Sequence, residues 1–177
     1  MDHSTRHRFN VVKTAALAVM SAALMVACDG GTPSSASECR IFRTTLSVKD
    51  RMSQGAGVFN PGEPITFELQ IANTSIIPAT LTAGSSCTAV VFEVFDASKQ
   101  RLWGSADGIN CAQVLQSRTY SPLEVVTQSS TWNQKGSGPT GGQAPSGDYL
   151  VTASVGQYVG LLDCRAELSQ TATFRIL

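Results

Sequence analysis

The stretch PGEPITFELQIAN, residues 61–73, decides the fold. Ile65, Phe67, Leu69 and Ile71 alternate with Thr66, Glu68 and Gln70. An apolar residue at every second position puts one face of an extended chain in a core and the other in water. A Pro-Gly turn opens the run and Asn73 closes it, so its ends are also marked. Asn73-Thr-Ser matches a glycosylation sequon and reads here as a strand-end turn.

The same pattern continues outward. IFRTTLSVK (41–49) is rich in β-branched residues, and ATLTA (79–83) is a short strand after Pro78. In TAVVFEVFD (88–96), Val90, Phe92 and Val94 alternate with Val91, Glu93 and Phe95, which predicts burial on both faces. ASKQ turns the chain into RLWGS (101–105), so 88–96 and 101–106 are expected to form a hairpin. RTYSPLEVVTQSSTWN (118–133) gives one or two strands broken at Pro122, and DYLVTASVG and TATFRIL supply the last two. No segment carries an apolar repeat of 3.6 residues over helix length. Short strands with Gly, Pro and Asn turns predict an all-β fold, an Ig-like antiparallel β-sandwich of seven or eight strands.

Before the first strand the composition changes. Arg6, Arg8 and Lys13 precede the uncharged run Thr14–Ala27. That is the length of a signal-peptide apolar core and is short of the roughly 20 residues a spanning helix needs. Residues 1–27 are therefore expected to be a secretory signal. The run ends in LMVAC, which resembles the bacterial lipobox: aliphatic residues, a small residue, then cysteine. Met25 stands where leucine is commonest. Cys28 is the expected lipidation site, since a thiolate can accept a diacylglycerol. Each buried methylene contributes about 0.8 kcal/mol, so two or three acyl chains hold a protein on a membrane where one does not. Residues 29–38, DGGTPSSASE, are small and polar and read as a flexible tether reaching about 17 Å. The expected location is the bacterial cell envelope, with inner or outer membrane left open. The domain is expected over 39–177.

Cleavage before Cys28 leaves 150 residues. It removes three of thirteen basic and one of thirteen acidic residues, leaving ten against twelve and a net charge of −2. No nucleic-acid partner is expected of that balance. It also removes His3 and His7, the only histidines. Ser-His-Asp and Cys-His catalysis, histidine-ligated zinc and the commonest general base all go with them. No catalytic residue, cofactor or metal ligand is assigned, and the chain is not expected to be an enzyme. Asp107 and Asn110, in Asp-Gly-x-Asn, are weak calcium candidates.

Cys39, Cys87, Cys111 and Cys164 remain, and an exported chain meets oxidising conditions. Four cysteines allow three connectivities. The hairpin brings Cys87, before its first strand, to Cys111, after its second. A sandwich in which the first strand runs parallel to the last would place Cys39 near Cys164. Cys39–Cys164 with Cys87–Cys111 is therefore the preferred pairing.

Three stretches in order resemble the BsuPI-type intracellular proteinase inhibitor domain, over about residues 44–158. They are NPGEPITFELQIANTS, TAVVFEVFDASKQRLWGSADG and STWNQKGSGPTGGQAPSGDYLVTASV. The resemblance implies an Ig-like sandwich and inhibition of serine proteases. Export and lipidation depart from the family's namesake, which acts inside the cell. The expected function is a non-enzymatic protein-binding module on the envelope, with a protease or another envelope protein as partner. The alternative is a structural or scaffolding lipoprotein without inhibitory activity. Trp103 and Trp132 are expected in the core rather than as exposed anchors. The loop 136–147 lacks apolar or charged anchors and is expected to be a plain connection. The loop 107–116, DGINCAQVLQ, is better placed for function, because a disulfide at Cys111 would make it rigid; a tied-down structural loop is its simpler reading.

Overall fold

Strand β3 (Ile65–Asn73) sits centrally between β1 (Phe42–Lys49) and β8 (Val125–Trp132), antiparallel to both. Its alternation is the one expected: Ile65, Phe67, Leu69 and Ile71 are fully buried, and Thr66, Glu68 and Gln70 are not. The computed structural model describes residues 39–87, 89–137, 141–159 and 162–177. The expected signal (1–27), Cys28 and the tether lie outside the described residues.

A five-stranded sheet faces this one. It contains β2 (Val58–Phe59), β12 (Gln170–Ile176), β9 (Gly147–Ser154), β5 (Val91–Asp96) and β6 (Arg101–Gly104), in that order. Aromatic rings join the two layers. Phe67 meets Phe92, Trp103 and Phe174, with ring centres 6.2, 6.0 and 5.8 Å apart. Trp132 is fully buried against Tyr149 and Phe174, and its indole N–H donates to the Lys135 carbonyl at 2.7 Å. Trp103 is half-buried and packs 6.4 Å from Trp132. Trp132 therefore belongs to the core, as expected, and Trp103 packs against it from a partly buried position.

A four-stranded sheet completes the fold, ordered β11 (Leu162–Asp163), β10 (Gln157–Val159), β4 (Ala79–Ala83) and β7 (Gln116–Tyr120). Apart from Cys39, helix among the described residues is confined to the single turn α1 (Arg165–Leu168). Pro122 splits 118–133 into β7 and β8, with Leu123 at φ 60° in the turn and the Glu124 carboxylate accepting the Ser121 N–H at 2.7 Å. The described chain is all-β, but it holds more strands than the seven or eight expected. Three of them, β2, β10 and β11, have only two or three residues. A segment that short cannot display a period of two.

Two details of the expected topology change. Phe92 and Val94 enter the core, but Val91, Glu93 and Phe95 on the other face are only half-buried. Glu93 there accepts the Arg101 guanidinium of β6 at 2.5 Å. And β1 does not pair in parallel with β12; the two-residue β2 holds that place. The starts of β1 and β12 still meet, since the Gln170 amide donates to the Thr44 hydroxyl at 3.0 Å. Both preferred disulfides are therefore present, Cys39–Cys164 and Cys87–Cys111.

Two buried amides hold turns where no strand does. Asn73 is 1% exposed. Its amide donates to the carbonyls of Ile77, Tyr120 and Ser121, and its oxygen accepts the Ser75 N–H and hydroxyl. The sequon asparagine is thus a structural hub, inaccessible to a glycosyl transferase in the folded chain. Gln134 is fully buried at φ 60°. Its amide donates to the carbonyls of Asn60 and Glu63, and its oxygen accepts from the Gly62 N–H and the Gln143 amide.

Candidate functional site

The loop 107–116, better placed for function than 136–147 but expected first to be a tied-down structural loop, is built between β6 and β7. At its entry, Asp107 folds back on the end of β6. Its carboxylate accepts the Arg101 guanidinium at 2.5 Å, the Gly104 N–H at 2.8 Å and the Ser137 hydroxyl. The Arg101 hydrogen bond is the main reason the Asp107 carboxyl is held below the usual carboxylate range, and the same bond raises Arg101. With its oxygens so engaged, Asp107 is poorly placed to ligate calcium. Among the described residues no group of three or more His, Cys, Asp or Glu side chains is arranged to hold a metal ion.

Gly108 (φ 74°) then turns the chain outward. From Ile109 to Leu115 the backbone belongs to no helix or strand. The disulfide from Cys111 to Cys87 ties its middle to the β4–β5 connection. One residue later Ala112 exchanges two hydrogen bonds with Ser86: its N–H donates to the Ser86 hydroxyl at 2.9 Å, and its carbonyl accepts the Ser86 N–H at 3.1 Å. Gln116 opens β7 opposite Ala83 of β4. The loop is thus anchored at its entry, middle and exit. Between those anchors it is exposed, with Ile109, Val114 and Leu115 at 57, 50 and 78%.

The loop 136–147 is different. Its described residues fold over the edge of β6, with the Ser137 N–H on the Leu102 carbonyl at 2.9 Å and the Gly136 N–H on the Gly142 carbonyl at 3.0 Å. Gly141 passes so close that a Cβ there would stand 1.9 Å from the Gly136 carbonyl oxygen. Residues 138–140 lie outside the described residues.

Residues 52–157 match the family model of BsuPI, described as an intracellular proteinase inhibitor. The chain belongs to the BsuPI family. The BsuPI match contains the loop 107–116 and both cysteines that brace it, and excludes Cys39 and Cys164. No curated protein matches the sequence significantly. Solved structures resemble the BsuPI chain distantly. A β-glucosidase from Listeria innocua is 14% identical with a TM-score of 0.42, over 77% of this chain and 16% of that one. The CARDB domain of a Pyrococcus furiosus protein, in complex with di-metal ions, is 13% identical with a TM-score of 0.41, over 77% and 90%. A Pseudomonas fluorescens alkylpurine DNA glycosylase bound to DNA is 12% identical with a TM-score of 0.44, over 77% and 30%. The chain thus spans less than a fifth of the glucosidase's length.

Proposed function

We propose that this BsuPI protein is an exported, lipid-anchored inhibitor of serine proteases and is not itself an enzyme. One observation carries the reading: the family-matched region holds an exposed loop braced by a disulfide. A protease captures an inhibitor tightly when the bound conformation is already formed, because little ordering entropy is lost on binding. Such complexes bury about 1,600 Å² in total, an area that one projecting loop and its flanks can supply. The absence of histidine after Ala27 argues against most hydrolytic machinery in the chain itself. Full chain in mild detergent, titrated against a panel of serine proteases, is expected to abolish the activity of at least one at submicromolar concentration. Full activity across the panel at micromolar concentration would remove the inhibitor reading.

Export and anchoring rest on two further observations. Two disulfides suit an oxidising compartment, and LMVAC before the tether suits lipidation at Cys28. Among the described residues no helix is long and apolar enough to cross a membrane. Cells fed labelled palmitate are expected to label the protein and hold it in the membrane fraction. Cys28→Ser is expected to lose both; label that persists in that variant would place the anchor elsewhere.

A scaffolding role has its own observation. Ile76 and Ile77, before β4, and Leu123, in the β7–β8 turn, are 86, 63 and 68% exposed. Asn73 links these two turns through the Ile77 and Ser121 carbonyls. A partner docked there would leave the protease panel untouched.

A further inference from the structure

The inhibitory reading leaves open which proteases the loop fits, and the inference that follows rests on that reading. Gln113, Val114 and Leu115 lie between two clamps. Upstream is Ala112, bonded twice to Ser86 and one residue beyond the Cys87–Cys111 disulfide. Downstream is Gln116, where β7 begins its ladder with β4. Among the described residues, no hydrogen bond engages the backbone N–H or carbonyl groups of these three. Polar backbone groups on an exposed, restrained segment are free to pair with another chain. A protease takes its substrate in just that way, as an extended strand whose main chain pairs with the enzyme and whose side chains enter successive pockets.

The side chains then choose the enzyme. Leu115 is the most exposed large apolar residue of the loop, at 78%, with Val114 beside it at 50%. From Gly108 to Ser117 there is no charged residue. The next cation, Arg118, lies within β7 and is paired with Glu124 at 3.1 Å. A primary pocket built around a carboxylate would find nothing to neutralise it here, and a buried charge left unpaired weakens binding strongly. An apolar pocket would find a leucine already presented.

We propose that Gln113–Leu115 enters the substrate cleft with Leu115 in the primary specificity pocket, so that the target class is serine proteases of apolar, chymotrypsin-like specificity rather than trypsin-like enzymes. The test titrates full chain, in mild detergent, against chymotrypsin and trypsin, each with a chromogenic substrate. Wild type is expected to inhibit chymotrypsin at least about a hundredfold more tightly than trypsin. Leu115→Arg is expected to reverse that order. Because Leu115 is exposed, the variant's thermal midpoint should stay at the wild-type value. Ile76→Arg, an equally exposed change away from the loop, should leave both inhibition constants unaltered. A wild type that inhibits, paired with a Leu115→Arg variant whose preference is unmoved, would overturn the assignment of the segment and leave inhibition standing. Inhibition of trypsin but not chymotrypsin by wild type would overturn the protease class. Inhibition of neither enzyme, by wild type or variant, would also overturn it, and the wider panel would then decide whether inhibition itself survives.

Discussion

Asn73→Asp is expected to destabilise the domain by about 3–4 kcal/mol, lowering its thermal midpoint by roughly 10 °C. Asn73 is 1% exposed, and its amide nitrogen lies 2.9, 3.2 and 3.0 Å from three carbonyl oxygens, those of Ile77, Tyr120 and Ser121. Aspartate has nearly the same shape, so packing is preserved and only the hydrogen-bonding chemistry changes. A donor becomes an acceptor, and one buried and two part-buried carbonyls face an anion in place of an N–H. The carboxyl can relieve this by keeping its proton, which raises its folded pKa above the unfolded value. Stability of the variant is then lost as pH rises through the unfolded value toward the folded one. Its deficit against wild type should be smaller at pH 4 than at pH 7. Thermal melts at the two pH values check both statements. A midpoint within a degree or two of wild type at pH 7 would show that Asn73 is a turn residue and not a hub.

The second large effect belongs to the cysteines that lie outside the family match. Cys39 and Cys164 are 1% and 0% exposed, and their bond closes a loop with a sequence separation of 125, against 24 for Cys87–Cys111. Restriction of the unfolded chain grows with the logarithm of loop length, giving about 5 kcal/mol for the long loop and about 3.5 for the short one. Cys39–Cys164 also ties the approach to β1 to the turn before β12, two strands that share no ladder. Urea unfolding of Cys39→Ser/Cys164→Ser is therefore expected to show the greater loss, and Cys87→Ser/Cys111→Ser the smaller. The reverse ranking would mean that ordering the loop 107–116, and not chain entropy, governs disulfide stabilisation here.

How legible each element was follows from how local its cause is. The alternation in β3 and the Pro122 break are written in consecutive residues, and both emerge where expected. The disulfide pairing is correct although part of its reasoning is not. It needed only the starts of β1 and β12 to meet, and they do so without the parallel ladder, which β2 supplies instead. Val58-Phe59 sits in a polar, glycine-containing stretch and carries no strand period. Gln134 was illegible for a related reason. In the polar run TWNQKG nothing marks one glutamine for complete burial, and its partners at 60, 62 and 63 are distant in sequence. The loop 107–116 lies between these cases. Its cysteine pointed to rigidity, but the exposure of Leu115 and the bare backbone between Ala112 and Gln116 needed coordinates.

The central claim is that this loop is the surface that meets a protease. Amide hydrogen exchange of the full chain tests it most directly, measured alone and with the panel protease it binds best, that enzyme's nucleophilic serine replaced by alanine. Slowed exchange at Gln113, Val114 and Leu115 in the complex, with the turns around Ile76 and Leu123 unchanged, is the predicted result. Protection confined to those two turns, with 109–115 exchanging as in the free chain, would contradict it.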